Sequence, residues 1–184
     1  MSLLLGLTPL LAYCVVAPLS LSLALWLAFA AAFTLAMRGF AAHRRVRLLD
    51  GTGLAVFGAL VLYNGFLEPG MTLARVSMVV EAIFFVVVMW SLLARRPLTA
   101  QYLPPQENDT AFLTRANTIL SGAWAATFAA MAGMQATSTI LHTVSPAWAS
   151  GTGLVVLAGA LAFTWQFVAY IEKRSRKAPA PGRR

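Results

Sequence analysis

The sequence predicts an all-α integral membrane protein, a bundle of about six transmembrane helices. Hydrophobic residues make up 59% of the 184 residues and charged residues 11%, whereas soluble domains average about 45–50% apolar and about 25% charged residues. Several apolar runs reach about 18 residues, the length that crosses roughly 30 Å of hydrocarbon. Basic residues are concentrated in short segments between those runs. Composition and pattern together favour a membrane protein over a soluble domain.

The first apolar run covers residues 3–35 and is too long for one crossing of about 20 residues. Pro18 divides it, because proline is tolerated at the start of a helix, where its missing N–H would be unpaired anyway. We therefore predict a short helix over 3–16 and a second helix from Pro18 to about Met37. A single long helix kinked at Pro18 is the alternative interpretation.

Four further apolar runs predict the remaining helices, over 54–67, 73–93, about 110–134 and 149–171. Pro69 and Gly70 form a turn signal after the third run. Asp109 or Thr110 can cap the free backbone N–H groups at the start of the fifth helix. We predict one transmembrane domain over 1–171, followed by a disordered, basic cytoplasmic tail over 172–184 that has too little apolar surface to fold.

The distribution of Lys and Arg predicts the orientation of the bundle. With six crossings and a cytoplasmic N-terminus, thirteen of the fourteen basic residues face the cytoplasm and only Arg75 lies outside, as the positive-inside preference requires. Both termini are then cytoplasmic. If the first two helices were one, the N-terminus would lie outside and the later topology would be unchanged.

The net charge of +8 is first a signal of topology and only then of binding partners. We predict anionic membrane lipids, which attract each Lys or Arg near the surface by roughly 1 kcal/mol. Nucleic acid is not predicted, because the basic residues are scattered and form no recognition motif. Small residues along the fifth helix permit close helix packing, either within the chain or against a membrane-protein partner or second copy; they are Gly122, Ala126, Ala129, Ala130 and Gly133.

An internal repeat is a further hypothesis. The string GTGLAVFGAL begins at Gly51 and GTGLVVLAGAL begins at Gly151. If the match is meaningful, two halves of three helices each are related by inverted topology, an arrangement that several transporters use. The alternative is a chance match in a chain rich in Ala, Gly and Leu.

Glu81 is the one acid placed well inside a predicted crossing. A charge at the bilayer centre costs about 2.5–3.5 kcal/mol, so such residues usually face other helices or a wet cavity. Tyr63 and Asn64 of the third helix lie at nearly the same predicted depth and are the expected hydrogen-bond partners. One hypothesis is an ion or proton site formed by these three residues. The other is a protonated Glu81 that serves only in packing.

No catalytic constellation is present in the sequence. His43 and His142 fall on opposite sides of the predicted membrane and cannot share a metal ion. The serines and threonines lack a recognisable arrangement with a His and an acid, and the glycines at Gly51 lack the Lys-Ser/Thr of a phosphate-binding loop. Cys14 is the sole cysteine, which excludes an intrachain disulfide. We predict no enzymatic activity and no cofactor.

The polar segment after the fourth helix carries the pattern R-P-L-T-x-Q-Y, followed by R-x-N-x-I-x-x-x-x-W. The pattern covers about a quarter of the chain and resembles poorly characterised small multi-pass membrane proteins of bacteria, loosely similar to the septation-protein-A type. Leu98 stands where that group usually has Phe. The matching residues are Arg96, Pro97, Thr99, Gln101, Tyr102, Arg115, Asn117 and Trp124.

The resemblance implies a location in the bacterial inner (plasma) membrane and a role in maintaining the envelope. The basic and amide side chains of the motif either fasten the loop between the fourth and fifth helices or hold a lipid phosphate. The leading hypothesis is therefore a non-enzymatic membrane protein that supports envelope function through lipid or protein association. A small transporter or channel that uses Glu81 is the alternative.

Overall fold

A computed structural model describes residues 5–44, 47–68, 70–94 and 110–177. Within those ranges every regular element is helical, which confirms the all-α class. The six α-helices of the described chain are α1 (Thr8–Val16), α2 (Leu21–His43), α3 (Leu48–Leu62), α4 (Leu73–Leu93), α5 (Thr110–Thr139) and α6 (Pro146–Lys177). A single π-helical segment, Tyr63–Leu67, extends α3.

The first apolar run forms two helices, not one kinked helix. Its helical residues stop at Val16, and α2 begins at Leu21 after a turn that contains Pro18. Ser20 is the N-cap of α2, and its Oγ accepts a hydrogen bond from the backbone N–H of Leu23 at 3.4 Å. A serine at this position pairs one of the N–H groups that the first turn leaves free.

Four helices extend further than the sequence predicts. Helix α2 continues six residues past Met37, to His43. Helix α3 begins six residues earlier than expected, at Leu48, and α5 continues five residues past 134 to Thr139. Helix α6 begins at Pro146, a residue type suited to the first helical position, and ends at Lys177. Residues 172–177, expected in a disordered tail, are therefore helical, because Glu, Lys and Arg are good helix formers. Residues 178–184 lie outside the described ranges.

Several apolar helices indicate insertion into a membrane. In the described ranges four are long and apolar enough to cross one: Leu21–Ala41, Leu48–Leu67, Leu73–Leu93 and Pro146–Ile171. Helix α1 has nine residues and measures about 14 Å, less than half of a hydrocarbon core of about 30 Å. Helix α5 has 30 residues and is long enough to cross a membrane. It is not one of these four helices, because its polar side chains lower its mean hydropathy. The six-crossing count stays a prediction.

The helices pack as two sets of three. Contacts are extensive within α1–α3 and within α4–α6, whereas α3 and α4 touch only slightly. Tyr13 of α1 joins the sets, because its ring lies 5.7 Å from that of Phe57 in α3 and its hydroxyl is 2.9 Å from Ser77 Oγ in α4. The two sets differ in length, since α1 has nine residues and α4 has 21. An inverted repeat therefore stays a prediction.

Helices α4 and α5 pack antiparallel along a continuous buried line, here called the α4–α5 seam. Their buried positions recur every three or four residues, the spacing of one helix face. On α4 they include Ser77, Glu81, Phe84, Val88 and Ser91, and on α5 they include Asn117, Ser121, Trp124, Phe128, Met131, Gln135 and Ser138.

The middle of this seam is aromatic and both ends are polar. The ring of Phe128 lies 5.5 Å from that of Phe84 and 5.6 Å from that of Trp124; these three residues are the aromatic centre. The Glu81 end of the seam comprises Ser77, Glu81, Gln135 and Ser138. The Asn117 end comprises Ser91, Asn117 and Ser121. Polar side chains in membrane helices usually face the bundle interior in this way.

Candidate functional site

A small cavity lies at the Glu81 end of the seam, between α1, α4, α5 and α6. Its volume is about 30 Å³, enough for one or two bodies the size of a water molecule. Its lining residues are Tyr13, Cys14, Ala17, Pro18, Leu73, Ser77, Glu81, Met131, Gln135, Ser150, Gly153 and Leu154.

Glu81 contributes the carboxyl group of this cavity. It lies eight residues after the first residue of α4, about 12 Å along the helix axis, and its side chain is 4% exposed. Its Oε2 has no hydrogen-bond partner among the described residues. Buried polar atoms are normally paired, so an unpaired carboxyl oxygen beside a cavity points to a missing partner such as a proton, water or cation.

Gln135 reaches the same cavity from α5. Its side chain is 3% exposed, and Oε1 finds no hydrogen-bond partner within the described ranges. Ser138, three residues further along the same face, also has a buried Oγ without a partner there. The cavity therefore brings together two acceptor oxygens, Glu81 Oε2 and Gln135 Oε1, that lack a hydrogen-bond donor within the described residues. The two residues are 54 positions apart in sequence.

Hydroxyl groups complete the wall between α1 and α4. Tyr13 Oη and Ser77 Oγ are 2.9 Å apart and share one hydrogen bond. Ser77 precedes Glu81 by four residues and so lies on the same face of α4. A hydroxyl that donates one hydrogen bond still has acceptor capacity, so this pair adds oxygen ligands to the cavity.

The C-terminal end of α1 forms another part of the wall. Cys14, Ala17 and Pro18 all line the cavity. Pro18 has no backbone N–H, so the Cys14 carbonyl lacks the donor that residue i+4 supplies in a continuing helix. A helix C-terminus also carries a partial negative charge. The end of this short helix therefore favours positive charge in the cavity.

The electrostatic character of the cavity follows from its lining. In the part of the chain that the structure describes, the lining includes one carboxyl group and no Lys, Arg or His. A bare carboxylate there would be costly, whereas a carboxylate neutralised by a proton or a cation would not. This arrangement suits the binding of a proton or a small cation and disfavours anions.

The sequence predicts that Tyr63 and Asn64 lie beside Glu81. In the structure they do not line the Glu81 cavity. The Tyr63 hydroxyl donates to Glu68 Oε2 at 3.1 Å. Asn64 lines a separate hollow of about 380 Å³ with Ser22, Trp26 and other residues of α2 and α3. The physical reason is that α4 packs mainly against α5. The cavity beside Glu81 is lined by residues of α1, α4, α5 and α6, and none of its described lining residues belongs to α3.

The motif in the loop after α4 is only partly described. Arg96, Pro97, Thr99, Gln101 and Tyr102 lie outside the described residues. Arg115 and Asn117 lie on α5, where Arg115 is exposed and Asn117 is buried in the seam. These two side chains therefore occupy different environments.

The start of α5 lies beside the end of α6. The guanidinium of Arg174 lies 4.4 Å from the centre of the Phe112 ring, a cation–π distance, and Arg174 Nη1 donates to the Tyr170 hydroxyl at 3.4 Å. Lys173 and Arg115 are exposed nearby in sequence. Basic side chains are thus concentrated where α5 begins and α6 ends.

Sequence reasoning identified Glu81 but missed Tyr13, Ser77, Gln135 and Ser138. A signal was available, because Ser77 and Glu81 on α4, and Gln135 and Ser138 on α5, are separated by four and three residues. Polar residues at helical spacing inside apolar helices indicate a buried polar face. That spacing does not reveal which two helices meet.

No protein-family model, curated protein or solved structure matches this chain. The resemblance to the septation-protein-A type therefore stays a prediction.

Proposed function

We propose that this chain is a small membrane transporter or channel that moves protons or small cations through its helical bundle by way of Glu81. The observation that carries the proposal is the pair of buried, unpartnered oxygens, Glu81 Oε2 and Gln135 Oε1, beside one cavity. A carboxyl that served only in packing would have its oxygens hydrogen-bonded by neighbouring side chains. A water-sized cavity that holds one carboxyl group and a few other oxygens in a largely apolar wall is suited to reversible binding of a small positive species.

The proposed arrangement has six crossings in a bacterial inner membrane, with both termini in the cytoplasm. Helix α5 supports it, because 30 residues extend about 45 Å and its polar side chains turn into the bundle. The exposed Arg115, Lys173 and Arg174 support a common cytoplasmic face for the start of α5 and the end of α6. Helix α1 is the shortest of the six described helices and would end beside Glu81.

Flux measurements in liposomes test the proposal. Purified protein is reconstituted into vesicles that contain a pH-sensitive dye, and proton and cation movement is followed under an imposed potential or ion gradient. We expect flux above that of protein-free vesicles, and we expect Glu81→Gln to reduce it to the protein-free rate. The substitution keeps the size of the side chain and removes its ability to exchange a proton or to balance a cation.

Glu68→Gln is the matched control. It removes the same charge, but Glu68 is exposed and does not line the cavity, so the flux should be retained. Equal flux from wild type and Glu81→Gln, at matched reconstitution, would contradict the proposal. So would the absence of any proton or cation flux by folded wild-type protein.

A second proposal is association with anionic lipids in support of the envelope, without enzymatic activity. It is favoured by the basic side chains where α5 begins and α6 ends, including Arg174 stacked over Phe112. Arg115→Ala should weaken binding to vesicles of anionic lipid relative to neutral lipid, while the single basic residue near the start of α4, Arg75, provides the control Arg75→Ala. Equal loss in both variants would indicate general charge attraction and no lipid site.

A further inference from the structure

We infer that the Glu81 cavity binds one dehydrated sodium ion. This inference rests on the proposed function, because it names the ion that the same cavity would carry. Three properties of the cavity lead to it: the type of ligand atoms, the amount of negative charge, and the size.

The ligand atoms are oxygens, which hard cations prefer. Glu81 Oε2 and Gln135 Oε1 each lack a hydrogen-bond partner within the described chain. The hydroxyls of Tyr13 and Ser77 share a single hydrogen bond at 2.9 Å and retain lone pairs. These groups together offer an ion several oxygens from α1, α4 and α5.

The negative charge matches one positive charge. Glu81 is the one carboxyl group in the lining of the cavity, within the described residues. Calcium carries two charges and is usually held by six to eight oxygens that include several carboxylates, while magnesium keeps much of its water shell. A monovalent ion is neutralised by Glu81 alone. The charge therefore favours a monovalent ion over a divalent one.

The size suits a small, dehydrated ion. A volume of about 30 Å³ accommodates one or two water-sized bodies. An ion enters only after it loses most of its water, and unpaired protein oxygens then replace the lost ligands. Sodium is the smaller of the two common monovalent metal ions of cells and suits this volume better than potassium.

The end of α1 adds to the attraction. Cys14 and Pro18 line the cavity, and the proline leaves the Cys14 carbonyl without its helical donor. The C-terminal ends of interrupted helices are suited to sodium because their free carbonyls and partial negative charge both face the ion. Helix α1 ends beside the cavity, so its C-terminus lies near the Glu81 carboxyl group.

Thermal unfolding of purified protein in detergent tests the inference without any transport. The Tm is measured in choline chloride, in sodium chloride and in potassium chloride, all at the same ionic strength. We expect sodium at ten times its Kd to raise Tm by about 3–6 °C, and potassium to raise it less. We expect Glu81→Gln and Gln135→Leu to lose the sodium-dependent rise. Glu68→Gln should retain it.

The outcomes separate this inference from the proposed function. If vesicles show proton flux that requires Glu81, but neither Tm nor flux responds to sodium, the sodium site is disproved and proton transport stands. If sodium raises Tm through Glu81 and Gln135 but no ion crosses the vesicle, the site stands and transport is disproved. A Tm rise of the same size in potassium, or in Glu81→Gln, overturns the inference. Gln135→Leu keeps the test valid if Glu81→Gln does not fold.

Discussion

The two polar ends of the α4–α5 seam flank the same aromatic centre but differ in how their polar atoms are paired. At the Asn117 end, Ser91 Oγ donates to the Val88 carbonyl at 2.8 Å, and Asn117 and Ser121 each have an interaction partner. At the Glu81 end, Glu81 Oε2, Gln135 Oε1 and Ser138 Oγ have none among the described residues, and a cavity lies beside the first two.

The difference teaches that burial of polar side chains does not by itself identify a site in a membrane bundle. Polar groups at the Asn117 end are paired within the protein, which offsets the cost of burying them. At the Glu81 end, Glu81 Oε2 and Gln135 Oε1 remain unpaired within the described residues and lie next to space that another species can fill. Lack of partners together with a cavity distinguishes a binding site from structural polar packing.

The aromatic centre separates the two ends, and its removal should have the largest effect. Phe128 is almost fully buried and contacts the rings of Phe84 and Trp124. Phe128→Ala should reduce the free energy of unfolding by about 3–5 kcal/mol, because it removes buried contacts and leaves a void. Unfolding by denaturant in detergent measures the change. A loss below that of an exposed substitution such as Phe66→Ala would contradict this account of the seam.

The comparison between the ends is tested by two matched substitutions. Asn117→Leu should destabilise the protein by about 1–3 kcal/mol, because a buried polar side chain that has an interaction partner is lost. Gln135→Leu should leave the free energy of unfolding nearly unchanged when sodium is absent, because the unpartnered Oε1 has no bond to lose. Both are measured by the same unfolding experiment. If Gln135→Leu is the more damaging of the two, the distinction between the ends is wrong.

The hydroxyl of Tyr13 provides a smaller test of the Glu81 end. Tyr13→Phe removes the hydrogen bond to Ser77 and should lower the free energy of unfolding by about 0.5–1.5 kcal/mol. Tyr63→Phe is the control, because the Tyr63 hydroxyl bonds to Glu68 at an exposed position and its loss should have little effect. Both variants are measured by unfolding in the same detergent. Tyr13→Phe should lower the free energy of unfolding more than Tyr63→Phe, and the reverse order would contradict the prediction.

Asp50 is a buried acid outside the seam, and its replacement should have a small effect. It lies in the first turn of α3, where a negative charge interacts favourably with the helix N-terminus. Asp50→Asn should therefore cost about 0.3–1 kcal/mol and leave ion flux unchanged. If folded Asp50→Asn lost its ion flux, a buried acid away from the Glu81 cavity would also be needed for flux. The cavity would then not be what distinguishes Glu81 from other buried acids.

Much of the fold could be predicted from residues that act locally. The turn at Pro18 and the apolar runs that became α2, α4 and α6 follow from helix starts, helix breakers and hydropathy. The end of α6 at Lys177 was not predicted, because charge was taken as a sign of disorder although Glu, Lys and Arg are good helix formers. Helix α5 is predicted as a crossing, yet it is not among the four described helices that are apolar enough to cross a membrane, because it carries buried polar residues.

The sequence by itself determined that the chain is helical and apolar, and that Glu81 is a carboxyl group inside an apolar helix. Only the tertiary structure decided that Tyr13, Ser77 and Gln135 are its neighbours and that Tyr63 and Asn64 are not. The reason is that helical spacing fixes the face on which a residue lies, whereas the helix that meets this face depends on packing between segments distant in sequence. Glu81 shares its cavity with residues of α1, α5 and α6, and with no described residue of α3.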